Sequence, residues 1–172
     1  LGVSTANAAP TAKHPSQHAD TQKNTPKKRL GRKHLRAIAL SIPDAQFQLD
    51  GRLNEDDWTR AQVGDEFIER VPNPKASPPV NTKVRVLYGK TALYVAVESE
   101  FIAGTYPRAL ELRRDSWRIW SDDAITLKLD VALDRRTTLF FAVNSADAQV
   151  DGIALDNGRQ FRREFDAVWS SA

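Results

Sequence analysis

The sequence predicts an all-β chain, an antiparallel two-sheet β-sandwich of jelly-roll or immunoglobulin-like type. Three observations predict it. Short runs alternate apolar and polar residues with a period of two. Turn signals separate these runs at short intervals. Helix-period patterning is scarce and no internal repeat is visible, which favours a sandwich over an α/β fold.

The runs can be taken in order. Ile38, Leu40 and Ile42 alternate, Pro43-Asp44 marks a turn, and Phe47 and Leu49 alternate again before the turn dipeptide Asp50-Gly51. Residues 53–58 (LNEDDW) read as the start of a short helix. Asn54 is its expected N-cap, Asp57 sits third, and acids crowd its positive end. Trp58 and Ala61, three apart, face the core, with Trp58 as an anchor. Residues 63–71 show no clean period, and 72–79 (PNPKASPP) form a Pro-rich loop. Residues 82–98 give the clearest hairpin: TKVRVLY, a turn at Gly89-Lys90-Thr91, then ALYVAVE. Val84, Val86 and Tyr88 share one face, as do Leu93, Val95 and Val97, so this pair is expected to pack that face on a core.

The centre of the sandwich is expected in residues 113–152. Ile125, Leu127 and Leu129 fall on one face of a strand, with Ala124, Thr126, Lys128 and Asp130 on the other. Residues 139–144 (LFFAVN) are apolar on both faces and suit a buried strand. The loop between, tipped by Asp134, Arg135 and Arg136, has the length of a hairpin connection, so the two strands are antiparallel. Asp156-Asn157-Gly158 is a tight-turn signal.

Composition bounds the chemistry. The chain has 172 residues, enough for one ordinary domain. It has no Cys, which excludes disulfides, thiolate metal sites and a thiol nucleophile. It has no Met either, even at position 1, and is read as a processed or truncated piece. The formal charge of +3 is uneven: residues 10–36 carry +7, leaving −4 for residues 37–172. Residues 1–9 read as a signal-peptide remnant, on the A-x-A pattern of Ala6, Asn7 and Ala8. Residues 10–36 read as a disordered basic linker. Its Lys27-Lys28-Arg29 and Arg32-Lys33 clusters could hold anions, but no aromatic is interleaved, and a solvated linker is the preferred reading; no nucleic-acid partner is expected. Residues 37–172 are the folded unit. No apolar run of 18 residues exists, so no helical membrane span is expected.

The three histidines, His14, His18 and His34, all precede the folded unit, which removes His-dependent catalysis and His-rich metal sites from it. The acids Asp122, Asp123, Asp130, Asp134, Asp151 and Asp156 could supply a glycosidase pair or calcium ligands, yet no calcium-loop spacing is present. Solvated loop acids with arginine partners are the preferred reading. Trp117 and Trp120 stand three apart in a polar loop. An indole offers a flat apolar face to a sugar's C–H surface while a neighbouring Asp122 or Arg113 bonds hydroxyls. The competing reading is a plug for the end of the sandwich, preferred for Trp117 and evenly balanced for Trp120.

Three stretches carry a resemblance: LDGRLNEDDW (49–58), KVRVLYGKTALYVAVE (83–98) and RRDSWRIWSDDAITLKLDVALDRRTTLFFAVN (113–144). Together they resemble family 9 carbohydrate-binding modules, and more closely the N-terminal module of bacterial envelope proteins with a C-terminal outer-membrane barrel of unknown function. The resemblance implies a two-sheet antiparallel sandwich, export to the periplasm or outer membrane of a Gram-negative bacterium, and a structural calcium. In sugar-binding members two tryptophans clamp the sugar, and Trp120 stands at the first position. The second would lie beyond Ala172. Thr126 stands where those members look to have a Glu, and Ala142 where they have an Arg. The chain is thus expected to be a C-terminally incomplete, non-enzymatic module binding an oligo- or polysaccharide, in a protein serving polysaccharide breakdown or uptake. The expected site is Trp120, Trp117, Asp122 and Arg113. The alternative is a structural or interaction domain of an outer-membrane barrel protein, with no sugar ligand.

Overall fold

The computed structural model describes residues 34–172. The signal-peptide remnant (1–9) and nearly all of the basic linker (10–36) lie outside the described residues. Among the described residues the only helical elements are one short α-helix and three 3-10 turns, and the chain forms two sheets. One has three strands: β1 (Ile38–Ala39), β2 (Thr82–Tyr88) and β3 (Leu93–Ser99), in that order. The other has four in sequence order: β4 (Ala124–Leu129), β5 (Thr138–Asn144), β6 (Gln149–Leu155) and β7 (Gln160–Arg162). Every pairing is antiparallel except β1 with β2, where Ile38 lies parallel to Leu87. This two-residue exception departs from the all-antiparallel expectation. The long connection from β1 to β2, through helix α1 (Asp56–Arg60), makes a parallel return possible.

The first hairpin follows the predicted register, with Val84 opposite Val97 and Val86 opposite Val95. Burial is divided between its two faces: on the predicted one Val84 is buried. On the other, Leu87 and Ala96 are buried and Tyr94 packs with them, covered by Phe47, Trp58 and Ala61. The rest of the predicted face, Val86, Tyr88, Leu93 and Val95, remains half-buried or exposed. The reason is local: α1 and the Phe47 segment lie over the Leu87 side, where Phe47 meets Trp58 at 5.7 Å and Tyr94 at 4.5 Å between ring centres. Trp58 is therefore the anchor expected of it.

α1 begins one residue later than predicted, with Glu55 as N-cap and no side-chain cap. Asp57 is buried instead: it accepts the Ser41 N–H at 3.0 Å and pairs with Arg60, tying α1 to the chain entering from β1. Asp44 fixes the β2–β3 turn, accepting from the Lys90 and Thr91 N–H groups and the Tyr94 hydroxyl. Gly89 is required there, because a Cβ would fall 1.6 Å from the Asp44 carboxylate.

The second sheet buries its predicted face less than the other. Its most buried row is Thr126, Ala142 and Val150, with Phe140 and Ala154 on the same face; Ile125, Leu127 and Leu129 are only half-buried. Ile119, from the turn before β4, is fully buried against this face. The other face receives the C-terminal segment. The Trp169 ring meets Phe141 at 5.5 Å and its indole N–H donates to Asp151 at 3.0 Å. Each sheet thus carries its own buried cluster, and the two clusters share no residue.

Candidate functional site

The site is built on residues 108–123, which pack on the Thr126–Phe140–Ala142 face of the four-stranded sheet. Ser116 caps a 3-10 turn, Trp117–Ser121, by accepting the Arg118 N–H. At this pitch residues three apart lie on one side, so Trp117 and Trp120 flank the buried Ile119 as a pair. Their rings meet edge to face at 5.8 Å. Phe140 from β5 lies 6.2 Å from each of them. Phe161, from β7, is 5.5 Å from Trp117 and 5.9 Å from Phe140. Four rings form one cluster, and the Arg163 guanidinium sits 4.1 Å over the Trp117 ring. Gly152 permits this: a Cβ there would come within 2.7 Å of the Phe140 ring.

Beneath the rings the register sets Thr126 directly opposite Ala142. Both are buried, as are the Trp120 indole N–H and the Thr126 hydroxyl, which have no hydrogen-bond partner among the described residues. The two positions expected to differ from sugar-binding members are therefore neighbours on the same face as Trp120. Neither offers a charged group.

Asp122 is buried, and its Oδ2 accepts the Leu110 and Glu111 N–H groups and the Asn144 side chain at 2.8–3.0 Å. These donors, the Glu111 N–H foremost, hold its carboxyl below the usual range against the opposing effect of burial. Arg113 is largely exposed and pairs with Glu111 through Nε at 3.1 Å. Glu111 also accepts from Ser116 Oγ and the backbone N–H groups of Leu112 and Arg113. With Arg113 contributing most, its carboxyl falls to about 2. The structure thus brings Trp117 and Trp120 together and employs Asp122 and Arg113 in folding the loop that carries them. Sequence reasoning missed Phe140, Phe161 and Arg163 as members of the ring cluster. Their signal was the Asp156-Asn157-Gly158 turn, which folds β7 back beside β6 and sets Phe161 opposite Ala154.

The remaining acids serve mostly as backbone acceptors. Asp130 and Asp134 accept four N–H groups within their own loop, Asp123 accepts from Arg108, and Asp156 pairs with Arg136 and Arg159. Arginine partners are only part of the explanation; the loops need carboxylates to satisfy their own amides. Among the described residues no group of three or more Asp, Glu, His or Cys side chains converges to hold a metal ion. No described helix is long and apolar enough to cross a membrane.

Compared with known proteins, the chain matches no family model, no curated protein and no solved structure. The resemblance to family 9 modules rests on the three sequence stretches alone.

Proposed function

We propose that this chain is a non-catalytic carbohydrate-binding module of an exported bacterial protein engaged in polysaccharide breakdown or uptake. The observation that carries the reading is the ring cluster of Trp117, Trp120, Phe140 and Phe161 on one face of the four-stranded sheet. Phe161 is half exposed and both indoles are only partly buried. A platform of this kind suits the C–H face of a sugar ring, and the Ala6-Asn7-Ala8 pattern supports export. Titration with neutral and acidic oligosaccharides, followed by tryptophan fluorescence, is expected to shift the emission for at least one sugar. Trp120→Ala is expected to abolish that response. Silence across the whole panel sinks the reading.

A second reading makes the chain an interaction domain of an outer-membrane barrel protein, with no sugar ligand. Phe101, Ile102, Tyr106, Leu110 and Leu112, each more than half exposed, favour it. It expects Trp120→Ala to leave partner association unchanged and substitutions at Tyr106 and Leu110 to weaken it.

A further inference from the structure

We propose that the ring platform takes an anionic glycan, a uronate-bearing oligosaccharide, rather than a neutral one. This rests on the carbohydrate-binding reading and specifies its ligand. Residues 37–172 carry a net charge of −4, yet the platform is cationic. Its face of the sheet comprises Ala124, Thr126 and Lys128 on β4, Thr138, Phe140, Ala142 and Asn144 on β5, Val150, Gly152 and Ala154 on β6, and Phe161 on β7. None is an acid. Lys128 lies directly opposite Phe140 and is exposed. Arg163 is exposed and stacked on Trp117. Among the described residues no acid forms an ion pair with either cation. Among the described residues Arg60, Arg85, Arg108, Arg113, Arg114, Arg136 and Arg159 have carboxylate partners, whereas Lys128 and Arg163 stand without one beside the ring cluster.

The chemistry fits a sugar carboxylate. A guanidinium offers paired donors to the two oxygens of a uronate, and an ammonium adds a point charge. The rings supply the apolar contact for the pyranose face. A single-stranded nucleic acid also pairs anions with rings, but it needs successive open ring faces along a strand. Here the rings meet edge to face in one compact cluster and Arg163 already covers a face of Trp117.

The test is a fluorescence or calorimetric titration of the whole chain. The probes are galacturonate, mannuronate and glucuronate oligosaccharides, each beside its methyl ester, with neutral gluco-, xylo- and manno-oligosaccharides and a short oligonucleotide. At least one uronate is expected to bind roughly tenfold tighter than its ester, and to weaken several-fold between about 0.05 and about 0.5 M salt. Lys128→Ala with Arg163→Gln is expected to bring the acid-to-ester ratio to about one while circular dichroism stays unchanged. Both side chains are exposed, so folding is expected to survive. Equal binding of acid and ester, or binding of neutral sugars only, overturns this proposal and leaves the carbohydrate reading standing. Binding of the oligonucleotide alone, or of nothing, overturns both. An unchanged uronate preference in the double variant also overturns it.

Discussion

Glu111 shows how a single side chain holds the site. It gathers Arg113, Ser116 and two backbone amides, while its own N–H and carbonyl bind Asp122 and Asn144. Its pKa falls from 4.5 to about 2, chiefly through Arg113, and that of Asp122 is lowered too. A carboxyl with a depressed folded pKa contributes stability that is fully present above its unfolded pKa and lost as pH falls through the folded one. The contribution of Glu111 is therefore constant above about pH 5 and disappears between about pH 4.5 and 2. Thermal unfolding measured across that range is expected to show a steep fall for the native chain. Glu111→Gln is expected to flatten the fall and to lower the midpoint at neutral pH. An identical pH profile in the two proteins would refute this role. None of it was legible in the sequence. Glu111 stood in a segment with no period, and its partners come from the same loop and from the end of β5.

The elements themselves were more legible than their faces. The two hairpins, β2 with β3 and β4 with β5, follow from alternation and turn residues. Alternation cannot say which side is covered when both sides are apolar or small. In β4 the aliphatic side was expected to be buried, whereas Thr126 is the buried residue, because the 3-10 turn lays Ile119 and two indoles over its side. The start of α1 shifted for a similar reason. The expected cap, Asn54, gave way because Asp57 is drawn inward to accept Ser41 N–H. Gly152 belongs to this scale. A Cβ there would meet the Phe140 ring at 2.7 Å and the Arg162 carbonyl at 2.8 Å. Gly152→Ala is expected to cost about 1–3 kcal/mol through overpacking. Urea unfolding would measure that loss, and an altered Trp117/Trp120 emission in the folded state would place the change at the ring cluster. An unchanged midpoint and emission would contradict the packing described.

At the scale of the whole molecule, the segment after β7 links distant parts of the chain. Asp151, buried on β6, accepts the Ala167 N–H at 2.8 Å and the Trp169 indole, and pairs with Arg114 from the loop before β4. The Ala172 backbone lies within 3.0 Å of a Cβ placed on Gly51, beside the first sheet. Asp151→Ala leaves these donors unpaired, at about 1–3 kcal/mol. Faster tryptic cleavage after Arg162 and Arg163 is expected, with a red shift of Trp169 emission. Cleavage at the native rate would show that Asp151 does not hold the segment. The sequence by itself determined the all-β class, the two main hairpins, the Asp156-Asn157-Gly158 turn and Trp58 as an anchor. Each rests on periodicity or turn chemistry, which depend on neighbours a few residues away. Only the tertiary structure decided which sheet faces are covered, that the four rings form one platform beside Lys128 and Arg163, and that Asp122 and Arg113 fold the loop carrying the indoles. Those outcomes depend on contacts between residues tens of positions apart, and no local pattern encodes them.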